Sequence, residues 1–112
     1  MKQTVENWFH QLPATAGLLA CGVRFPDCQC LSRSQSPDLP LSRLEAAWHH
    51  LAETLVAIRQ HRIFPMRLRW RYERGDLHFA IRNDGILLGL FATEELATEF
   101  IAGIVEEFLQ LR

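Results

Sequence analysis

At 112 residues, with 48% hydrophobic and 22% charged side chains, the chain has the makeup of one folded globular domain over residues 1–112, not of a disordered tail. A formal net charge of −1 gives no global attraction to nucleic acid or to an anionic membrane surface. No stretch reaches the roughly 20 apolar residues that span a bilayer, the start is too polar for a signal peptide, and three cysteines, an odd count, speak against a disulfide framework and for a reducing cytoplasm.

Val5, Trp8, Phe9 and Leu12 stand at i, i+3, i+4 and i+7, one face of a short helix stopped by Pro13. Residues 18–25 read as a strand, Pro26-Asp27 as a two-residue turn, and residues 28–33 as the return strand. Residues 34–40, with two prolines, form a loop. Ser42-x-x-Glu45 has the form of a capping box opening a long helix over residues 43–61, with Leu44, Trp48, Leu51, Leu55 and Ile58 as its seam. After Pro65, Met66, Leu68, Trp70 and Tyr72 alternate with Arg67, Arg69 and Arg71, the period of a half-buried strand. Leu77, Phe79 and Ile81 resume that period after Arg74-Gly75-Asp76, and Asn83-Asp84-Gly85 leads into an apolar run at residues 86–91. Such short turns allow only hairpins, so residues 66–91 make a three-stranded antiparallel meander whose last strand is covered on both faces. Thr93 is a plausible N-cap for a final helix burying Leu96, Phe100, Ile101, Ile104, Val105, Phe108 and Leu111.

The order is therefore α-β-β-α-β-β-β-α, an α+β fold with one five-stranded antiparallel sheet sandwiched by helices. The first and last helices belong on one face and the long helix on the other. The core should include Trp8, Phe9, Leu19, Leu51, Leu55, Phe79, Leu88, Phe100, Ile104 and Phe108.

Chemistry-bearing residues are sparse. With Pro26-Asp27 as the loop, Val23 pairs with Cys30 and the thiols of Cys21, Cys28 and Cys30 share a face that also carries Leu19, Val23 and Phe25. That cluster is either a metal or ligand site or ordinary packing of small apolar side chains; Cys-x-Cys falls short of the usual ligand spacing, and packing with no bound metal or cofactor is the expectation. The neighbours His49 and His50 lie roughly 100° apart on a helix, whereas paired metal ligands need i, i+4. No nucleophile elbow and no phosphate-cradling Gly loop is present, so no enzymatic site can be named. Charge is unevenly placed: residues 59–82 carry seven Arg against Glu73 and Asp76, and residues 84–111 carry six acids and no base. Arg67, Arg69 and Arg71, with Arg82 beside them, form a stripe that is either a solvated strand face or a seat for an acidic protein partner; nucleic acid ranks third, because a local patch on a near-neutral protein binds phosphates only weakly. Ala52 and Val56, off the seam of the long helix, widen its apolar strip towards a second contact.

The element order, and above all YERGDLHFAIRNDGILLGLF at residues 72–91, resembles the Roadblock family, the dynein light chain class, with a profilin-like layering. The turn Phe25-Pro26-Asp27-Cys28 departs from it in lacking the family's Asp-Gly. The resemblance implies a non-enzymatic homodimeric adaptor in which two copies pair the strand at residues 66–73 edge to edge and set the helices at residues 43–61 side by side. It implies partners among dynein chains and Ras-like small GTPases, some bacterial members acting on a cell-polarity GTPase. The dimer interface then comprises Trp48, Ala52, Val56, Met66, Leu68 and Trp70, and the partner surface Arg67, Arg69, Arg71 and Arg82. Two arginine stripes meeting across the two-fold should weaken such a dimer at low salt. The alternative is a small-ligand or metal-responsive sensory module using the face of Cys21, Cys28 and Cys30.

Overall fold

The computed structural model describes residues 1–112. Its elements are α1 (Lys2–His10), β1 (Leu18–Arg24), β2 (Cys30–Ser34), α2 (Leu41–Gln60), β3 (Arg67–Tyr72), β4 (Gly75–Ile81), β5 (Leu87–Ala92) and α3 (Thr98–Gln110). All strands pair antiparallel in one sheet of order β2-β1-β5-β4-β3, so β2 and β3 are its edges. The expected class, element order and layering are those observed.

Period-two alternation sorts the sheet's side chains into two cores. Cys21, Val23, Phe25, Ala80, Leu88 and Leu90 meet α1 and α3 on one face. Ala20, Phe79, Ile81 and Leu87 meet Leu44, Trp48, Leu51 and Leu55 of α2 on the other. Of the expected core, Trp8, Leu19 and Phe100 are only half-buried. Leu19 sits at a bulge where the β1–β5 register shifts, which lets Leu18 and Ala20 face opposite sides of the sheet. Trp48 fills the centre of the second core with no exposed surface, and its indole Nε1 donates to Ser32 Oγ at 2.8 Å. Its ring lies flat on a gap left by Gly22 and Gly89, where a Cβ would come closer than 3.0 Å to the indole.

Three local readings need correction. The β1–β2 loop holds three residues, not two: Phe25 N–H donates to Gln29 O, and Cys28 takes the left-handed conformation with φ of 72°. This is a three-residue turn closed by a left-handed residue, the role Gly85 (φ 88°) plays between β4 and β5. Helix α2 starts at Leu41 with Pro40 in the N-cap position, its extended backbone (φ −66°, ψ 154°) leading into the first turn; Ser42 is inside the helix and makes no capping bond. Helix α3 starts four residues beyond the expected Thr93 cap, at an N-cap, Ala97, that has no side-chain acceptor.

Candidate functional site

The extra loop residue slips the hairpin register by one, which turns every following β2 side chain to the opposite face. Arg24 pairs with Cys30 and Cys21 with Arg33. Cys21 is therefore buried against α1 and α3, Cys30 is half-buried under α2, and Cys28 is exposed at the turn; all three are free. The three-thiol face does not exist. Burial pushes the Cys21 thiol up, with Arg33 opposing. Burial and then Glu45 push Cys30 up, with Arg24 opposing.

Cys30 instead meets α2. Glu45 and His49, one helical turn apart, bring a carboxylate oxygen and an imidazole nitrogen to the Cys30 sulfur, all within 4.8 Å of one another. His49 Nε2 lies 3.8 Å from Glu45 Oε1. Arg24 donates from Nε to His49 Nδ1 at 3.0 Å and from Nη2 to Cys28 Sγ at 3.2 Å. The sequence sets His49 beside His50 but does not reveal this cluster, which depends on the slipped register.

The second feature is the edge strand β3. In its ladder with β4, Ile81 N–H donates to Met66 O, so Leu68, Trp70 and Tyr72 bond inward and the backbone groups of Arg67, Arg69 and Arg71 point to the open edge. On the α2 side of the sheet, Leu68, Trp70, Tyr72 and Leu77 form an apolar strip that α2, seated over β1 and β2, leaves partly uncovered. Trp70 packs at a tilt on Phe79, ring centroids 5.1 Å apart, and remains 38% exposed. Ile63, Phe64 and Met66, between α2 and β3, are each more than half exposed.

The three residues of α2 expected at a dimer contact do not lie beside the β3 edge. Trp48 has no surface to offer a partner. Glu45 and His49 face Cys30 and Arg24 on the β2 side, while Arg43 lines a groove with Tyr72 of β3, and Ala47, one turn on, shares the flank of Arg43. At about 100° per residue, Ala52 and Val56 share the β2 flank with Glu45 and His49. The flank beside β3 carries Ala47, Leu51, Thr54 and Ile58 in steps of four, three and four. Val56 is 59% exposed but points away from the β3 edge.

The arginine stripe lies on the α3 face and is not bare. Arg67 pairs with Glu106 of α3, Arg69 with Asp76 at 2.7 Å, and Arg71 with Glu94 at 2.8 Å and Asp76 at 3.5 Å. Three guanidinium groups thus face three carboxylates. Burial pushes the Asp76 carboxyl up, but the Arg69 hydrogen bond and the charges of Arg69 and Arg71 outweigh it and hold it below the usual range. Burial, then Arg69, push His78 down. Arg82 does not belong to a partner surface. Its side chain is 9% exposed and donates to the Phe108 carbonyl and, at 2.7 Å, to the Leu111 carbonyl, closing the C-terminus of α3.

One further groove, about 750 Å³, opens at the start of α2 between the 36–40 loop and the β3–β4 turn, lined by Arg43, Tyr72, Arg74 and Thr93. The Tyr72 and Thr93 hydroxyls there have no hydrogen-bond partner. Arg74 pairs with Asp38 across its mouth. No helix is long and apolar enough to cross a membrane.

A five-stranded antiparallel sheet of order β2-β1-β5-β4-β3, with two helices on one face and a crossing helix on the other, defines the Roadblock fold, and this chain has it. No protein-family model matches the sequence, and no curated protein matches it. Solved structures do. A Roadblock/LC7 domain from Streptomyces avermitilis superposes with a TM-score of 0.62 at 13% identity, covering 98% of this chain and 92% of that one. MglB from Myxococcus xanthus superposes with a TM-score of 0.66 at 7% identity, covering 81% of this chain and 71% of that one.

Proposed function

We propose that this chain is a non-enzymatic homodimeric adaptor that pairs two β3 edges into one continuous sheet across a two-fold axis. The observation that carries the reading is the β3 half of the α2-side sheet face. An unprotected edge ladder adjoins an apolar strip of Leu68, Trp70 and Leu77 that the chain's own helix leaves partly uncovered. A second copy satisfies both: its β3 supplies the missing backbone partners, and its α2 lies over the strip and meets Ala47, Thr54 and Ile58. Met66, Leu68 and Trp70 stay in the interface as expected from sequence, and that flank of α2 replaces Trp48, Ala52 and Val56. Because Arg67, Arg69 and Arg71 are matched by Asp76, Glu94 and Glu106, pairing does not bring bare like charges together, and the dimer holds at low salt.

The doubled sheet is a platform for a protein partner in the cytoplasm, and the resemblance to the Roadblock family makes a Ras-like small GTPase the partner class to test first. Sedimentation equilibrium tests the assembly. The wild-type chain and Val56→Glu are expected to be dimers, and Trp70→Glu a monomer. A Trp70→Glu dimer, or dissociation by Val56→Glu alone, removes the β3 interface.

A further inference from the structure

We propose that Cys30, Glu45 and His49, with Cys28 as fourth ligand, form a binding site for a divalent first-row metal ion, zinc by the chemistry of its donors. Thiolate, imidazole and carboxylate are the three ligand types zinc takes, and here one of each comes from two rigid elements. Cys30 opens β2, and Glu45 and His49 stand one turn apart on α2. Their ligand atoms lie within 4.8 Å of one another, close enough for small rotamer changes to place all three around one ion. Cys28 lies outside that trio in an exposed turn, its sulfur held by Arg24, and as fourth ligand it would bind at a Cys-x-Cys spacing shorter than the usual one.

Arg24 is the argument for the site and also its obstacle. Its guanidinium already gathers the His49 Nδ1 lone pair and the Cys28 sulfur, so these donors are turned towards one positive group. A metal ion must displace it. On binding, the two thiols lose their protons to solvent and two Zn–S bonds form. Two thiolates and one carboxylate then balance the zinc charge and the guanidinium charge, leaving the cluster formally neutral with Arg24 swung to its rim. Removing Arg24's competition should tighten binding, a result that adventitious thiol chemistry does not produce. The site lies on the β2 flank of α2, remote from the β3 edge, so the proposal does not rest on the dimer and both copies of the site stay open in one.

The test uses the full chain, reduced and treated with chelator, titrated with zinc against a chromophoric competitor and separately with cobalt(II). One equivalent per chain is expected, with a thiolate-to-cobalt charge-transfer band and the intense visible absorption of a four-coordinate ion. Cys30→Ser and His49→Gln should each weaken binding at least about tenfold. Cys21→Ser should leave it unchanged, and Arg24→Gln should tighten it. Glu45→Gln, at an exposed position, supplies an independent loss of affinity if the metal-free circular dichroism of either other variant departs from wild type. Absence of the charge-transfer band, indifference to Cys30→Ser and His49→Gln, or equal loss in Cys21→Ser overturns the proposal.

Discussion

Placing one methyl group on β5 should show how the α2 core is built. A Cβ at Gly89 would come closer than 3.0 Å to the six-membered ring of Trp48, and the nearest atoms belong to a rigid indole that has no exposed surface. Gly89→Ala therefore displaces the indole and breaks its hydrogen bond to Ser32 Oγ. Overpacking of this kind costs about 1–3 kcal/mol, and loss of the hydrogen bond adds about 1 kcal/mol. The sum, about 2–4 kcal/mol, approaches the roughly 3–5 kcal/mol expected for Trp48→Ala. In a Trp48→Leu background the space is open, and the same Gly89→Ala change should be neutral or stabilising by roughly 0.5–1 kcal/mol, since a strand glycine gives way to a residue of lower unfolded-state entropy. Urea denaturation of the four proteins of this double-mutant cycle, followed by circular dichroism at one protein concentration, gives the coupling. A Gly89→Ala penalty of equal size in both backgrounds would refute the account of Trp48 and its two glycines.

Arg82→Ala should destabilise the fold by about 1–3 kcal/mol, and amide exchange should rise first at the end of α3, where the Phe108 and Leu111 carbonyls lose the guanidinium as a donor. Asp76 and His78 both have folded pKa values below their ordinary ones, so the unfolded chain binds protons more readily and stability falls with pH in two windows. The His78 contribution fades from about pH 6.5 downwards and the Asp76 contribution from about pH 4 downwards. Asp76→Asn should cost about 1.5 kcal/mol at pH 7, the low end for a charged hydrogen bond because Arg69 is half-exposed, and the difference from wild type should shrink progressively as the pH of the melt falls below about 4. Thiol labelling of the reduced, metal-free chain should proceed quickly at Cys28, slowly at Cys30, and at Cys21 only with unfolding, in the order of their exposure.

Strands and their order were legible because alternation in residues 66–82 and turn residues such as Asn83-Asp84-Gly85 act locally. The β1–β2 register was not. The left-handed position that closes a three-residue loop usually announces itself as glycine, and here it is Cys28, so nothing in the sequence marks the extra residue. That one residue decides which face Cys30 takes and hence whether it meets Cys21 or His49. Ser42-x-x-Glu45 matches a capping motif by composition, yet Pro40, with its fixed φ, starts the helix earlier. Periodicity gave the buried seam of α2 but not which flank faces β3, since that depends on where the helix crosses the sheet. Likewise Arg82 reads as one more arginine of the stripe until the end of α3 folds back over it.

Amide exchange at the β3 edge bears most directly on the adaptor reading. At concentrations where the chain sediments as a dimer, the backbone amides of Arg67, Arg69 and Arg71 should be protected, because the partner's β3 accepts their hydrogen bonds. In Trp70→Glu, or on dilution to monomer, those three should exchange rapidly while Leu68 and Trp70 or its replacement, bonded to β4, stay protected. Rapid exchange at Arg69 in a species that sediments as a dimer would contradict pairing through this edge.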